Sequence, residues 1–197
     1  ARVLASEGNC HVTGVDITKE FCEVATVLSK LTALSNVTEF RHGDATALPF
    51  AGASFDACVS QEALLHIADK AAVLAGCHRV LAPGGRLAFT DWIARPGLGD
   101  GERARLWEWM AATTLQTLDG YRALLGRAGF TAVEAEDLSD EWRTILRARL
   151  AMYRAMRDDT VARLGEARYR EYDALYAFFV GLVEAGKLGG GRFSSTR

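Results

Sequence analysis

Residues 11–44 read HVTGVDITKEFCEVATVLSKLTALSNVTEFRHGD. The stretch opens on a short apolar strand, Cys10 to Val15, that closes in Asp16. Thr18 then caps a helix through about Leu34, with Phe21, Val24, Ala25, Leu28 and Leu31 at helical spacing. Val37 to Arg41 forms a second strand, ending at His42-Gly43-Asp44. Strand, helix and strand in so few residues make a βαβ unit, and each strand delivers an acid at its carboxyl end.

The same alternation continues on both sides. Residues 1–8 read as the end of a helix stopped by Gly8-Asn9. Downstream, Phe55 to Ser60 is a third strand, and Glu62 to Ile67 suggests one or two helical turns. Asp69 to Leu81 is a longer helix ended by Pro83-Gly84-Gly85, and Arg86 to Asp91 is a fourth strand. These strands are too apolar for one-sided burial, so a parallel sheet covered on both faces is expected. The second half changes character. Glu102 to Thr113 and Leu118 to Ala128 read as helices, and Phe130 to Glu136 as a strand. Residues 139–185 are almost wholly helical, read as a helical pair, before a last strand at about Arg192 to Ser195. The expected organisation is a core over 1–138, a helical lid over 139–186 and a return to the core sheet over 187–197.

Composition bounds the function. The 197 residues are 49% hydrophobic, enough for a core, and the net charge of −2 makes no electrostatic case for nucleic acid or an anionic membrane. Cys10, Cys22, Cys58 and Cys77 form no C-x-x-C and no zinc spacing with His11, His42, His66 and His78, so no metal site is expected. Their apolar contexts suggest reduced, mostly buried thiols and a cytoplasmic protein. No apolar run is long enough to span a bilayer. Met110, Met152 and Met156 sit at helical spacing and read as core. Composition leaves a homodimer open.

Ligands of open parallel sheets bind beyond the carboxyl ends of the strands. Those ends carry Asp16, Gly43-Asp44-Ala45, Ser60-Gln61-Glu62 and Asp91-Trp92. Asp16 could accept hydrogen bonds from ribose hydroxyls, or simply sit at a helix N-terminus. Asp44 could accept an adenine amine beside the Ala45 amide, or close an Asx turn. Glu62 and His66 are four apart, which on a helix would let the carboxylate orient the imidazole as a base; a surface pair is the alternative.

Taken together, VTGVDIT, HGDATALPF, FDACVSQEALLHI and HRVLAPGGRLAFTDW resemble the class I S-adenosylmethionine-dependent methyltransferases. Within that family, SQEALLHIADK and the ending YAFFVGLVEAGKLGGGRF are similar to the sarcosine/dimethylglycine and phosphoethanolamine N-methyltransferases. The resemblance implies a Rossmann-like α/β fold with a mostly parallel twisted sheet, helices on both faces and a helical lid before the last strand. It implies S-adenosylmethionine as cofactor, S-adenosylhomocysteine as product and a small-molecule acceptor, such as a glycine derivative. It assigns cofactor contacts to Asp16, Ile17, Gly43, Asp44, Ala45, Ser60 and Gln61, and methyl transfer to Glu62 and His66. A C- or O-methyltransferase of a larger metabolite and a non-catalytic nucleoside-binding relative are the alternatives. One departure stands out. The family's first strand and glycine-rich turn have no counterpart here, so the expectation is a fragment or the ordered part of a longer polypeptide. Tyr153, Tyr172, Tyr176 and Phe179 are candidates to face a methylated ammonium or to form a packing seam. Arg95 and Arg192 are candidates to hold a substrate carboxylate.

Overall fold

The computed structural model describes all 197 residues. Helix α1 (Arg2–Gly8) precedes β1 (Val12–Asp16), α2 (Lys19–Leu31) and β2 (Thr38–His42). Next come β3 (Phe55–Gln61), α3 (Lys70–Val80), β4 (Leu81–Ala94), α4 (Asp100–Met110), α5 (Leu118–Arg127) and β5 (Thr131–Asp137). Three helices, α6 (Ser139–Ala155), α7 (Arg157–Leu164) and α8 (Glu166–Glu184), separate β5 from the last strand, β6 (Leu188–Thr196).

The strands form two sheets. β1 and β2 pair in parallel, with Asp16 opposite His42. The second sheet runs β3-β4-β6-β5; β3, β4 and β5 share one direction and β6 alone is reversed. The sheets are thus mostly parallel, as expected, and no ladder joins β1 to β3. β4 is longer than the sequence suggests, because Phe55 pairs with Leu81 and Ala57 with Arg86. Residues 82–85 bulge out between those pairs, and Gly84 supplies the left-handed backbone (φ +78°) that the turn needs.

Side chains of β4 alternate between two cores, as the period of a strand requires. Leu87, Phe89 and Ile93 join Leu74, Tyr121, Leu125 and Phe193 under α3 and α5. Trp92 and Ala94 join Leu106, Leu146, Phe179 and Val183 under α4, α6 and α8. Caps mark the covering helices: Asp69 accepts the Ala72 N–H (2.9 Å), and Thr117 accepts the Gly120 N–H (2.9 Å). The helical insertion is anchored at its base, where a side chain at Gly190 would sit 2.2 Å from the Trp142 indole. Trp142 in turn meets Trp92 edge-on at 4.8 Å.

Several expectations need correction. Residues 139–184 form three helices rather than two, because Gly165 (φ +85°) breaks the last stretch. Gly189 to Gly191 lie inside β6. Met152 and Met156 are exposed rather than core, while Met110 packs against the first core. Cys10 is exposed, Cys22 is buried, and Cys58 and Cys77 are half-buried, all four unbridged. The strands β1 to β3, expected to be covered on both faces, contain no buried residue. No helix is long and apolar enough to cross a membrane.

Candidate active site at the strand ends

The parallel register of β1 and β2 brings their carboxyl ends together. The Gly43 N–H donates to the Asp16 carbonyl (2.9 Å), and His42 Nε2 lies 3.1 Å from the Ile17 carbonyl. Asp16, Ile17, Gly43, Asp44 and Ala45 therefore form one cluster. Asp16 Oδ1 accepts the Thr18 N–H (2.8 Å), while Oδ2 has no partner in the chain. Asp44 Oδ1 accepts the Thr46 N–H (2.8 Å), and hydrogen bonds from Thr46 hold this carboxyl below the usual carboxylate range. Both carboxylates thus close local turns two residues on, and Thr18, at the N-cap of α2, makes no side-chain capping bond. These turns use one oxygen of Asp16 and keep Asp44 an ionised acceptor.

Ser60 and Gln61 close β3, with Gln61 opposite Thr90 of β4. The Glu62 N–H donates to the Thr90 carbonyl (2.8 Å), so the strand-like pairing runs on one residue further. Glu62 then turns the chain with a left-handed backbone (φ +50°), a conformation that costs a non-glycine residue on the order of 1–2 kcal/mol. Only Leu64–His66 form a single 3₁₀ turn. The helical i,i+4 relation expected for Glu62 and His66 is absent, and no hydrogen bond joins them. His66 instead places Nδ1 3.3 Å from the Ala111 carbonyl. A carbonyl only accepts, so this contact puts the proton on Nδ1 and leaves Nε2 as the basic nitrogen.

Next to this turn lies a hollow of about 280 Å³, lined by Arg103, Trp107, Ala112, Thr113, Thr114 and Leu115. Thr113 ties its wall to the turn, its N–H and hydroxyl both donating to the Leu65 carbonyl (2.9 and 3.1 Å). Arg103 enters no ion pair. The arginines singled out from the sequence are both engaged: Arg95 pairs with Asp137, and Arg192 with Glu136. The aromatic residues of the insertion mostly pack on one another. Tyr153 stacks on Tyr169 at 5.2 Å, and Tyr176 meets Phe179 at 4.5 Å, which is a packing seam. Tyr172 lies under the Arg168 guanidinium (4.6 Å).

Two buried charged residues lie beside the turn: Asp91, read from the sequence only as part of a strand end, and Lys70, not singled out there. Burial draws the Lys70 ammonium down to about 8 against the opposing pull of Asp91, and burial raises the Asp91 carboxyl. Asp91 also takes the Tyr121 hydroxyl, whose own titration is pushed up by burial. The signal was available in the sequence: an Asp-Lys pair opening a helix and an acid within the apolar run of β4.

Residues 1–89 match the family model of the methyltransferase domain. Over that stretch the chain is similar to a methyltransferase domain. Its relatives agree on that domain and differ in what they methylate. A 27-O-demethylrifamycin SV methyltransferase of Amycolatopsis mediterranei is 31% identical over 84% of this chain and 62% of that protein. A phosphoethanolamine N-methyltransferase of Triticum aestivum is 28% identical over 84% of the chain and 32% of that protein. The chain spans about half the length of several curated relatives it matches. Among solved structures, phosphoethanolamine N-methyltransferase 2 of Haemonchus contortus, in complex with phosphomonomethylethanolamine and S-adenosylhomocysteine, superposes with a TM-score of 0.92. That match is 20% identical and covers 100% of this chain and 46% of that one, so it shows the fold.

Proposed function

We propose that the protein transfers a methyl group from S-adenosylmethionine to a small-molecule acceptor, and that the acceptor atom is the nitrogen of a small amine. The observation that carries this reading is the convergence of the Asp16–Ile17 and Gly43–Asp44–Ala45 ends through the Gly43 hydrogen bond to Asp16. The residues fit the nucleoside half of the cofactor. Asp16 Oδ2 is free to accept from ribose hydroxyls, Asp44 stays an acceptor for the adenine amine, and Ile17 is exposed beside them. Ser60 and Gln61, at the next strand end, are assigned to the same pocket. When bound, the cofactor supplies a methyl carbon already activated by its sulfonium.

The chain's own work is to orient the acceptor and to keep it unprotonated. His66 carries that role in this reading, with Nε2 as the accepting nitrogen and the Ala111 carbonyl, not Glu62, fixing its tautomer. Glu62 turns the chain out of β3 and contributes charge at the turn. The hollow walled by Arg103 and Trp107 takes the acceptor, and Arg103 holds its anionic end, a carboxylate or phosphate, by charge-assisted hydrogen bonds. The insertion α6 to α8 serves as the lid, its own base fixed by Trp142 against Gly190.

Calorimetric titration of S-adenosylhomocysteine into the chain tests the cofactor part, with Asp16→Ala as control. Micromolar binding, lost in the control, is expected. A screen of small carboxylated and phosphorylated amines for transfer of an isotopically labelled methyl then tests the acceptor part. Labelling of only a hydroxylated or carbon acceptor would replace the amine reading.

A further inference from the structure

Asp91 is 0% exposed and Lys70 is 2% exposed, and neither takes part in the chemistry proposed above. Charges buried this deeply are costly unless hydrogen-bonded, and apolar residues of similar size would stabilise a fold as well or better. Where their hydrogen bonds go is therefore informative. Lys70 Nζ donates to the Ile67 carbonyl (2.8 Å) and to the Thr114 hydroxyl (2.7 Å), not to Asp91. Asp91 Oδ1 accepts the Leu65 N–H (3.2 Å), and its other oxygen takes the Tyr121 hydroxyl. One charge thus grips the residue before His66 and the other grips the residue after it. Lys70 also clamps this turn to Thr114, in the wall that carries the His66 partner, Ala111.

The turn needs such support. It is a single 3₁₀ turn, held internally by two bonds, His66 N–H to the Ala63 carbonyl (3.2 Å) and Ile67 N–H to the Leu64 carbonyl (2.9 Å). It enters through the left-handed backbone of Glu62. One isolated turn does not fix a side chain's direction on its own.

We propose that Lys70 and Asp91 are positioning residues that clamp the backbone on either side of His66 and so fix the direction of its imidazole relative to the 111–114 wall. The functional part of this proposal rests on the reading of His66 as the group that serves the acceptor. The experiment compares the 197-residue chain with Lys70→Met, Asp91→Asn and Thr113→Val. The last removes one hydroxyl bond to the Leu65 carbonyl without disturbing a buried charge. Three quantities are measured: the His66 imidazole resonance by NMR, S-adenosylhomocysteine affinity by calorimetry, and kcat with an amine that the wild type methylates.

The expected result is a shifted or broadened His66 resonance in each folded variant, with His11 and His42 unchanged. Cofactor-product affinity should change less than ~3-fold, because Asp16 and Asp44 lie at the ends of the β1–β2 pair, away from the clamped turn, and only Ser60 and Gln61 share its sheet. In Lys70→Met, kcat should fall ~10- to ~100-fold with KM little altered, the size expected for a misdirected catalytic group. An unchanged His66 resonance in the variants that fold overturns the proposal. So does a loss of kcat that only follows a matching loss of S-adenosylhomocysteine affinity. A displaced resonance with unchanged kcat leaves the clamp in place and refutes instead the role given to His66.

Discussion

Between Ala1 and Ser60 the chain buries three residues, Ala5, Cys22 and Ser29, while the other 33 of its 36 buried residues lie from Leu64 onward. Exposed large hydrophobics show the reverse bias: Val3, Leu4, Ile17, Phe21, Val24, Val27, Leu28, Leu31 and Val59 make nine of fifteen. Up to β2 the chain holds a two-stranded sheet with α1 and α2; from β3 onward it holds a four-stranded sheet with a core on each face. A sheet of two strands cannot bury much apolar surface, so its local structure rests on hydrogen bonds and propensity. The contrast divides the candidate site as well. Asp16 and Asp44, assigned to the cofactor, stand on the thinly packed half, whereas the His66 turn is pinned to the well-packed half. Affinity for the cofactor and geometry for the acceptor should therefore respond to different mutations.

The largest expected effect lies in the second core. Phe193 is 0% exposed, stacks on Phe89 at 4.7 Å and meets Tyr121 at 4.8 Å. Phe193→Ala should cost about 3–5 kcal/mol, the range for emptying a filled aromatic site. Urea unfolding followed by circular dichroism measures it. A loss below about 1 kcal/mol would erase the distinction between the halves.

The next effect is on binding. Asp16 offers one free carboxylate oxygen beside a half-buried strand end. Removing a hydrogen bond to a charged group costs about 1.5–3 kcal/mol, so Asp16→Ala should weaken S-adenosylhomocysteine by roughly 10- to 100-fold. Lys70→Met should leave that affinity nearly intact. Equal losses in the two variants would mean that the halves of the site act as one unit.

How much of this was legible in the sequence follows from which forces act locally. The strands and helices of the first 94 residues were readable because apolar runs, Thr18, and the Pro83-Gly84-Gly85 break are local signals. The division into two sheets was not, since periodicity is blind to which strand edges pair. Glu62 and His66 were placed on one helix face because their spacing allows it. The pairing of Glu62 with Thr90 holds the chain extended for one residue too many, and tertiary structure overrode the spacing. Arg95 and Arg192 looked free because their partners, Asp137 and Glu136, come from a strand that reaches them only through folding. Lys70 was hidden for a simpler reason: a lysine at the start of a helix usually faces water.

A smaller effect, with a definite sign in pH, comes from Lys70. Its ammonium titrates at about 8 in the fold, against an ordinary 10.5. Below 8 both folded and unfolded chains carry the charge, and the fold bears the full cost of burying it. Between 8 and 10.5 the unfolded chain holds the extra proton, so stability rises with pH in this window. From pH 7 to pH 9 the wild type should gain about 1 kcal/mol relative to Lys70→Met. Asp91 and Tyr121 are present in both chains, so the difference isolates Lys70. A constant difference between the two unfolding curves across this range would show that the ammonium is solvated.

The smallest effect belongs to α2, and it probes the comparison most directly. Phe21 is 63% exposed and Leu31 77%, on a helix whose apolar spacing otherwise predicts a buried face. Exposed positions change stability by at most about 0.5 kcal/mol, so Phe21→Ala and Leu31→Ala should be nearly silent in urea unfolding. A cost near that of Phe193→Ala would mean that this face is covered in solution. Repeating the unfolding at several protein concentrations would then discriminate: a midpoint that climbs with concentration assigns the cover to a second copy of the chain. A midpoint that stays put, with the mutations silent, leaves α2 as an apolar surface held only by its own backbone and by the few side chains beneath it.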